Sequence, residues 1–133
     1  LGLPAPASAA PGSLCPRARG PPGTLCPMLP DTTIREFQDL IRERYFATDN
    51  ARGTHATFLL LTEEFGELAT ALYDNNKEAH GGSPPTPEQR DNLTEEFADV
   101  LAWLATLANI NGVDLTEAIS KYTDPERVKG VKE

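Results

Sequence analysis

From residue 31 onward, apolar side chains recur at the spacing of an α-helix, and breaks in this pattern divide the chain into four helical segments. The first segment is predicted to run to about Phe46, with Asp31 or Thr32 as the N-cap that accepts hydrogen bonds from the first turn. The stretch ATDNARGT that follows is predicted to be a loop. The apolar face of the first segment consists of Ile34, Phe37, Leu40 and Ile41.

The second segment is predicted to be a helix from near Thr54 to about Asn76. Its inward stripe follows the three- and four-residue steps of an amphipathic helix. The glycines and prolines of KEAHGGSPP then interrupt the pattern and predict a loop. The stripe consists of Phe58, Leu61, Phe65, Leu68 and Leu72.

The third segment carries start and stop signals for a long helix. Thr86 supplies an N-cap, Pro87 occupies the first helical position, and Gln89 completes a capping box. Asn111 and Gly112 predict a left-handed stop at the other end. The apolar residues between these signals are Leu93, Phe97, Val100, Trp103, Leu104 and Leu107.

A short fourth helix is predicted over Leu115–Tyr122, with Asp114 as its N-cap and Asp124-Pro125 as its end. No segment predicts a strand. We therefore expect an all-α fold, built on a long antiparallel hairpin of the second and third helices with shorter first and last helices. Roughly 100 residues of helix bury only a thin core. Apolar residues outside the inward stripes favour self-association: Leu59, Leu60, Leu101 and Ala105.

Residues 1–30 differ from the rest of the chain in composition. They hold eight of the twelve prolines, both cysteines and no acidic residue. Because proline fixes φ and removes an amide donor, we expect a disordered head here and a folded domain over residues 31–133. Two origins of the head stay open: sequence translated upstream of a natural start near Met28, or an artificial leader. Cys15 and Cys26 form no CxxC pair, so neither a disulfide framework nor a zinc site is predicted.

The predicted domain is strongly acidic. Residues 31–133 hold all 20 acidic residues and 10 of the 12 basic ones, which gives a net charge of −10. This balance argues against binding to a nucleic-acid polymer or an anionic membrane, since both require a basic surface. No apolar stretch reaches the length of a transmembrane helix, and a domain without cysteine fits a cytoplasmic location.

The stretch LTEEF occurs twice, at Leu61–Phe65 and Leu93–Phe97, and each copy lies in a predicted helix. Glu67 lies nine residues before the end of the second helix, and Glu96 lies nine residues after the start of the third. At a rise of ~1.5 Å per residue, both lie roughly 13 Å from the tip of the hairpin. The antiparallel hairpin is therefore expected to bring the two acidic clusters side by side.

Helical facing separates the acids within these clusters. Glu63 and Glu95 are expected to point towards solvent or the rim of the groove between the helices. The remaining acids form two i, i+3 pairs that point into the groove: Glu64/Glu67 and Glu96/Asp99.

Four carboxylates in an apolar groove repel one another and lose their hydration unless they are neutralised. Between Thr54 and Asn111 only Lys77 and Arg90 are basic, and both lie in or near the tip loop. A hard divalent cation is the natural counter-charge, and oxygen-only ligands favour Mg²⁺ or Mn²⁺. A di-iron site is excluded because neither cluster contains a Glu-x-x-His pair. The ordinary alternative is a solvated acidic helix face.

The acidic segments and their flanks resemble a known family. EEFGE at residues 63–67 and EFAD at residues 96–99 match the EExxE…ExxD signature of MazG-like nucleoside triphosphate pyrophosphohydrolases. The flanking sequences TIREFQDLIRERYF, LTEEFGELATAL and EFADVLAWLATLANINGVDLTEAISKY are similar as well. The resemblance covers nearly all of residues 32–123 and none of the head.

The resemblance implies hydrolysis of an NTP or dNTP to the monophosphate and pyrophosphate with Mg²⁺, or with Mn²⁺ in its place. It implies a homodimer or a homotetramer, in agreement with the thin core. Glu63 would lie beside the metal ligands or act as the base that activates water. The implied metal ligands are Glu64, Glu67, Glu96 and Asp99.

Four further residues are candidates for contact with substrate. Lys121 is the best-placed phosphate contact and Arg127 follows it, although both equally fit an ordinary basic helix end. Trp103 is a candidate for stacking on the base, with a place in the core as the commoner role. Arg52 can reach substrate from the predicted loop, where a surface position is the ordinary alternative.

Two other functions compete with this interpretation. Phosphoribosyl-ATP pyrophosphohydrolases share the implied fold, but no feature of the chain favours that activity. A non-catalytic acidic helical module that binds a partner protein belongs to a different class. Such a module needs no acid at a core position, and Glu96 interrupts an apolar row.

Overall fold

Four α-helices account for most of residues 31–127, the part of the chain that the computed structural model describes. No strand occurs in this part of the chain, so the predicted all-α class is confirmed. The predicted head, residues 1–30, and the last six residues of the predicted domain, 128–133, lie outside the described residues. In chain order the helices are α1 (Ile34–Arg52), α2 (Thr54–Asn75), α3 (Pro87–Ile110) and α4 (Leu115–Thr123), with a short 3₁₀ turn at Lys77–His80.

The helices α2 and α3 form the predicted antiparallel hairpin. Near its tip, Nδ2 of Asn75 donates to the carbonyl oxygen of Gln89 at 2.8 Å. At its open end, the Thr54 hydroxyl donates to Oδ1 of Asn111 at 3.1 Å. The helix α1 packs mainly on α3, and α4 packs on α1. None of the described helices is long and apolar enough to cross a membrane.

Capping residues set the starts of the helices. Thr86 and Gln89 form the predicted capping box at the start of α3. For α1 the predicted N-cap, Asp31 or Thr32, is wrong by one or two positions: Thr33 is the N-cap. It pairs with Glu36, whose carboxylate accepts from the Thr33 amide at 2.7 Å.

The helix α1 continues through the stretch that was predicted to be a loop and ends at Arg52. Tertiary contacts of Asp49, which is only 2% exposed, explain this difference. Its carboxylate accepts a hydrogen bond from the Thr106 hydroxyl on α3 at 3.1 Å and pairs with Arg52 at 2.8 Å. These contacts hold the last turn of α1 against α3, and the local sequence does not reveal them.

The end of α3 follows the predicted left-handed stop. Gly112 has a φ of 66°, a conformation that glycine adopts without steric cost. The turn lets the Val113 amide donate to the carbonyl oxygen of Ala108 at 2.9 Å. Asp114 then caps α4 as predicted, since its carboxylate accepts from the amides of Thr116 and Glu117.

The apolar core lies between α1 and α3. Ile41 on α1 packs with Ala102 and Ala105 on α3, and these small side chains allow the two helices to approach closely. Partly buried side chains surround this cluster: Phe37, Tyr45 and Leu115. The core is thin, as the length of the domain predicts.

The predicted inward stripe of α2 is wrong for three of its five residues. Phe58, Phe65 and Leu72 are 56%, 48% and 40% exposed. Because α1 packs on α3 and hardly on α2, no element of the described chain covers this side of α2. The α2 residues that are buried are Thr57, Leu61, Glu64 and Ala71.

A buried amide on α1 ties three elements together. Nε2 of Gln38 donates to Oδ1 of Asn109 at 3.1 Å and to the carbonyl oxygen of Val113 at 2.7 Å. Oε1 of Gln38 accepts from the amide of Leu115 at 2.9 Å. In return, Nδ2 of Asn109 donates to the backbone oxygen of Gln38 at 3.1 Å. One side chain thus fixes the position of α1 relative to the end of α3 and the start of α4.

Replacing Gln38 by alanine is expected to destabilise the fold by roughly 2–4 kcal/mol, because the buried amide oxygen of Asn109 and two partly buried backbone groups lose their partner. Chemical denaturation followed by circular dichroism measures this change. Glu43→Ala, at an exposed position on the same helix, should stay within about 0.5 kcal/mol of the native protein. Equal stability of the two variants would contradict the role given to Gln38.

Candidate metal centre

The hairpin brings three of the four predicted acids together. Glu64 lies on the buried side of α2, and Glu96 and Asp99 lie one turn apart on α3. One carboxylate oxygen from each residue falls within 4.8 Å of the others. The predicted apposition of the two acidic segments is therefore present in the fold.

Glu67 differs from this expectation because its side chain is exposed. It lies one turn after Glu64, at the edge of the buried face of α2. It is not one of the three acids within 4.8 Å of one another. Its negative charge still acts on the cluster, since it raises the pKa of Glu96 and of Asp99. Glu67 thus stands at the rim of the three-acid cluster.

The acids of the cluster resist ionisation. Burial raises the pKa of Glu64, and although a hydrogen bond from Trp103 opposes this shift, the charges of Asp99 and Glu67 add to it. Burial, followed by the charges of Glu67 and Asp99, raises the pKa of Glu96. Burial is also the main reason that the pKa of Asp99 is raised. All three shifts indicate a site that lacks positive charge.

Within residues 31–127, no lysine or arginine pairs with the three acids. Oε2 of Glu64 and Oε2 of Glu96 are buried and have no hydrogen-bond partner among the described residues. Buried polar atoms are rarely left without a partner in proteins. Two such oxygens beside a third carboxylate, with no histidine or cysteine in the group, fit the ligand preference of Mg²⁺ or Mn²⁺.

Trp103 lies in the interior and is only 1% exposed, so its indole offers no surface to a base in this structure. Its Nε1–H group donates a hydrogen bond to Oε1 of Glu64 at 3.0 Å. The apolar row of α3 predicted the burial of Trp103. It gave no sign of this contact with an acid on the neighbouring helix.

Arg52 also lies elsewhere than predicted, since it belongs to the last turn of α1. Its guanidinium carbon lies 5.2 Å from the centre of the Trp103 ring, and Nη1 pairs with Asp49. The role of Asp49 was missed from the sequence. The i, i+3 spacing of Asp49 and Arg52, typical of ion pairs on a helix, was the signal that could have revealed it.

The other predicted residues lie apart from the three-acid cluster. Lys121 and Arg127 line one side of a cavity of about 560 Å³ at the start of α4. Gly112 is the first residue in chain order that lines this cavity. It follows Asp99 by 13 residues, which correspond to roughly 20 Å of helix between the cavity and the acids. Glu63 is exposed, next to Glu64 on the outer side of α2.

The sequence and the fold agree on the family. The profile of the MazG nucleotide pyrophosphohydrolase domain matches residues 52–125, more than half of the chain. The chain therefore belongs to this family of nucleotide pyrophosphohydrolases, and the resemblance seen in the acidic segments is confirmed. The matched region contains the three-acid cluster, Glu67 and Trp103.

One solved structure supports the same assignment. The chain is similar to the crystal structure of iMazG from Vibrio DAT 722 (Ntag-iMazG). The two share 27% sequence identity, and the TM-score is 0.53. The similarity covers 76% of this chain and 100% of that chain. No curated protein sequence matches the chain significantly.

Neutralising Glu96 is expected to stabilise the metal-free protein. Because the pKa of Glu96 is raised, its ionised form costs folding free energy above that raised value, and the cost disappears as the pH falls towards the ordinary value of 4.5. With EDTA at pH 8, Glu96→Gln should raise Tm, because the amide keeps the shape of the side chain and removes its charge.

Thermal unfolding between pH 5 and pH 8 measures the effect, and the advantage of Glu96→Gln should shrink at the acid end. Asp91→Asn is the matched control, since Asp91 is exposed on the same helix and is not among the charges that raise the pKa of Glu96. A Glu96→Gln protein that melts at or below the native temperature at pH 8 would contradict the repulsion described here.

Proposed function

We propose that the protein hydrolyses nucleoside triphosphates, NTP or dNTP, to the monophosphate and pyrophosphate in a Mg²⁺-dependent reaction. The observation that carries this proposal is the pair of buried, unpartnered oxygens on Glu64 and Glu96 beside Asp99. A helix that only presents acids to solvent has no reason to bury them at the cost of their hydration. Membership in the family supports the same chemistry.

In this proposal Glu64, Glu96 and Asp99 hold the metal, with Glu67 as a fourth ligand at the exposed rim. When bound, Mg²⁺ offsets the charge of the triphosphate and makes water a better nucleophile. No basic side chain pairs with the three acids in the described chain, so a bound cation would supply the positive charge that a polyanion needs beside them. Mn²⁺ has similar ligand preferences and is expected to substitute.

Glu63 is the proposed base. It is exposed next to Glu64 on the outer side of α2, where water can reach it. Its carboxylate would take the proton from a water that attacks the α-phosphorus in line with the leaving pyrophosphate. Since pyrophosphate leaves as one group, the triphosphate is cleaved once.

Lys121 and Arg127 remain proposed phosphate contacts, and Arg52 remains a proposed substrate contact. The cavity of Lys121 and Arg127 begins roughly 20 Å along α3 from Asp99. Contact between these residues and a substrate at the three acids therefore requires a second copy of the chain or an extended substrate. Arg52 is engaged with Asp49 and would have to leave it to bind phosphate.

We also propose that the protein acts as a homodimer or homotetramer in the cytoplasm. Both helices of the hairpin carry rows of exposed apolar side chains at helical spacing. Exposed apolar side chains that lie together on a surface commonly mark an interaction site. The two rows are Phe58, Phe65 and Leu72 on α2, and Phe97, Leu101 and Leu104 on α3.

Pyrophosphate release from a panel of NTPs and dNTPs with Mg²⁺ tests the proposed activity. Glu96→Ala is expected to lower turnover roughly 100-fold or more, because it removes one of the oxygens that hold the metal. Asp91→Ala, an exposed acid earlier on α3, should retain native turnover.

Turnover of no nucleotide in the panel, or equal turnover by Glu96→Ala, would overturn the proposed function. Phosphoribosyl-ATP belongs in the panel because the related pyrophosphohydrolase activity would favour it over every NTP. A protein that hydrolyses none of these compounds but binds a partner protein would fit the non-catalytic alternative.

Analytical ultracentrifugation tests the proposed assembly. The native protein should sediment as a dimer or tetramer, and Leu101→Asp should shift it towards the monomer, because a charge in an apolar contact loses its hydration without a partner. Glu43→Lys, on the exposed side of α1, serves as the control for a change of surface charge. A native protein that stays monomeric at micromolar concentration would refute this assembly.

A further inference from the structure

The indole of Trp103 donates its one side-chain hydrogen bond to an acid of the proposed metal site. The Nε1–H group lies 3.0 Å from Oε1 of Glu64, and both side chains are only 1% exposed. An indole has this single donor and no acceptor, so the contact has one possible direction. At this depth the bond is not in competition with water, which makes its geometry well defined.

The hydrogen bond distinguishes the two oxygens of the Glu64 carboxylate. Oε1 is engaged by the indole, whereas Oε2 is buried without a partner. A buried carboxylate that is free to rotate about its last bond would offer either oxygen to a cation. Here the indole holds one oxygen back and leaves the other as the available ligand beside Glu96 and Asp99.

The Trp103 ring is itself held by the end of α1. The guanidinium group of Arg52 lies over the ring at 5.2 Å, within the range of a cation–π contact. Arg52 pairs with Asp49 at 2.8 Å, and the other oxygen of Asp49 accepts from Thr106 at 3.1 Å. These contacts connect α1 through α3 to Glu64 on α2, and they fix the plane of the indole.

We propose that Trp103 is a positioning residue that fixes Glu64 with Oε2 turned towards the metal, and that Arg52, held by Asp49, keeps the indole in the required orientation. This inference rests on the proposed metal-dependent function and adds to it the residues that orient one ligand. It gives Trp103 and Arg52 a role in binding the cation that does not depend on contact with substrate. Outer groups that orient a ligand generally contribute 10–100-fold to metal affinity.

Binding of Mn²⁺ alone, measured by electron paramagnetic resonance without nucleotide, tests the proposal. Trp103→Phe removes the N–H donor and keeps most of the ring, and it should weaken Mn²⁺ binding about 10–100-fold. Glu64→Gln, which removes the ligand itself, should weaken binding at least as much. Leu61→Val removes one buried methylene a turn before Glu64 and should retain native affinity, since it leaves the hydrogen bond in place.

Equal Mn²⁺ affinity in Trp103→Phe and the native protein would overturn the positioning role and leave the proposed activity intact. Failure of the native protein to bind Mn²⁺ would overturn both. Loss of affinity in Leu61→Val to the same degree as in Trp103→Phe would also overturn the positioning role, because general loosening of the core would then explain the result.

The native protein allows a second measurement that needs no change at Trp103. The chain contains one tryptophan, so all tryptophan fluorescence comes from Trp103. Addition of Mg²⁺ should change the emission saturably in the native protein and leave that of Glu64→Gln unchanged. Absence of any change in a native protein that binds Mn²⁺ would overturn the proposal even if Trp103→Phe does not fold.

Discussion

The fixed register of α2 against α3 is the constraint on which the rest of the structure depends. Glu64 meets Glu96 and Asp99 only in this register, because a slip of one residue would turn each side chain by about 100°. Polar contacts hold it at both ends of the hairpin, through Asn75 near the tip and Thr54 at the open end. The apolar core is small, so apolar packing alone would not fix the register of α2 against α3. Directional hydrogen bonds fix this register instead.

The acidic cluster costs the fold stability, and the compensating contacts lie elsewhere. Burial and the charges of neighbouring acids, Glu67 among them, raise the pKa of each of its three acids, which reflects work done to bring these carboxylates together. The opposing contributions come from the buried Gln38 network and from the hydrogen bonds of Asp49. Functional sites commonly destabilise a fold locally, and contacts in the rest of the structure compensate for this cost.

The sequence predicted those features that depend on neighbouring residues and failed where distant contacts decide. Thr86 with Gln89 and the turn at Gly112 are local devices, and both are present. The end of α1 was missed because Asp49 finds its partners on α3. The inward stripe of α2 was misassigned because periodicity shows that Phe65 belongs to an apolar row, and only the position of α1 shows that this row stays uncovered.

The two copies of LTEEF have the same sequence but lie in different environments. Glu64 is almost fully buried with one oxygen held by Trp103, while its counterpart Glu96 is partly exposed and receives no such hydrogen bond among the described residues. The acids three residues later differ in the opposite sense, since Asp99 is partly buried and Glu67 is exposed. The exposure of Glu67 fits the position of α1, which covers α3 and leaves α2 open. One firmly oriented carboxylate is thereby combined with carboxylates that can adjust, which suits a cation that must exchange protein and water oxygens for those of a substrate.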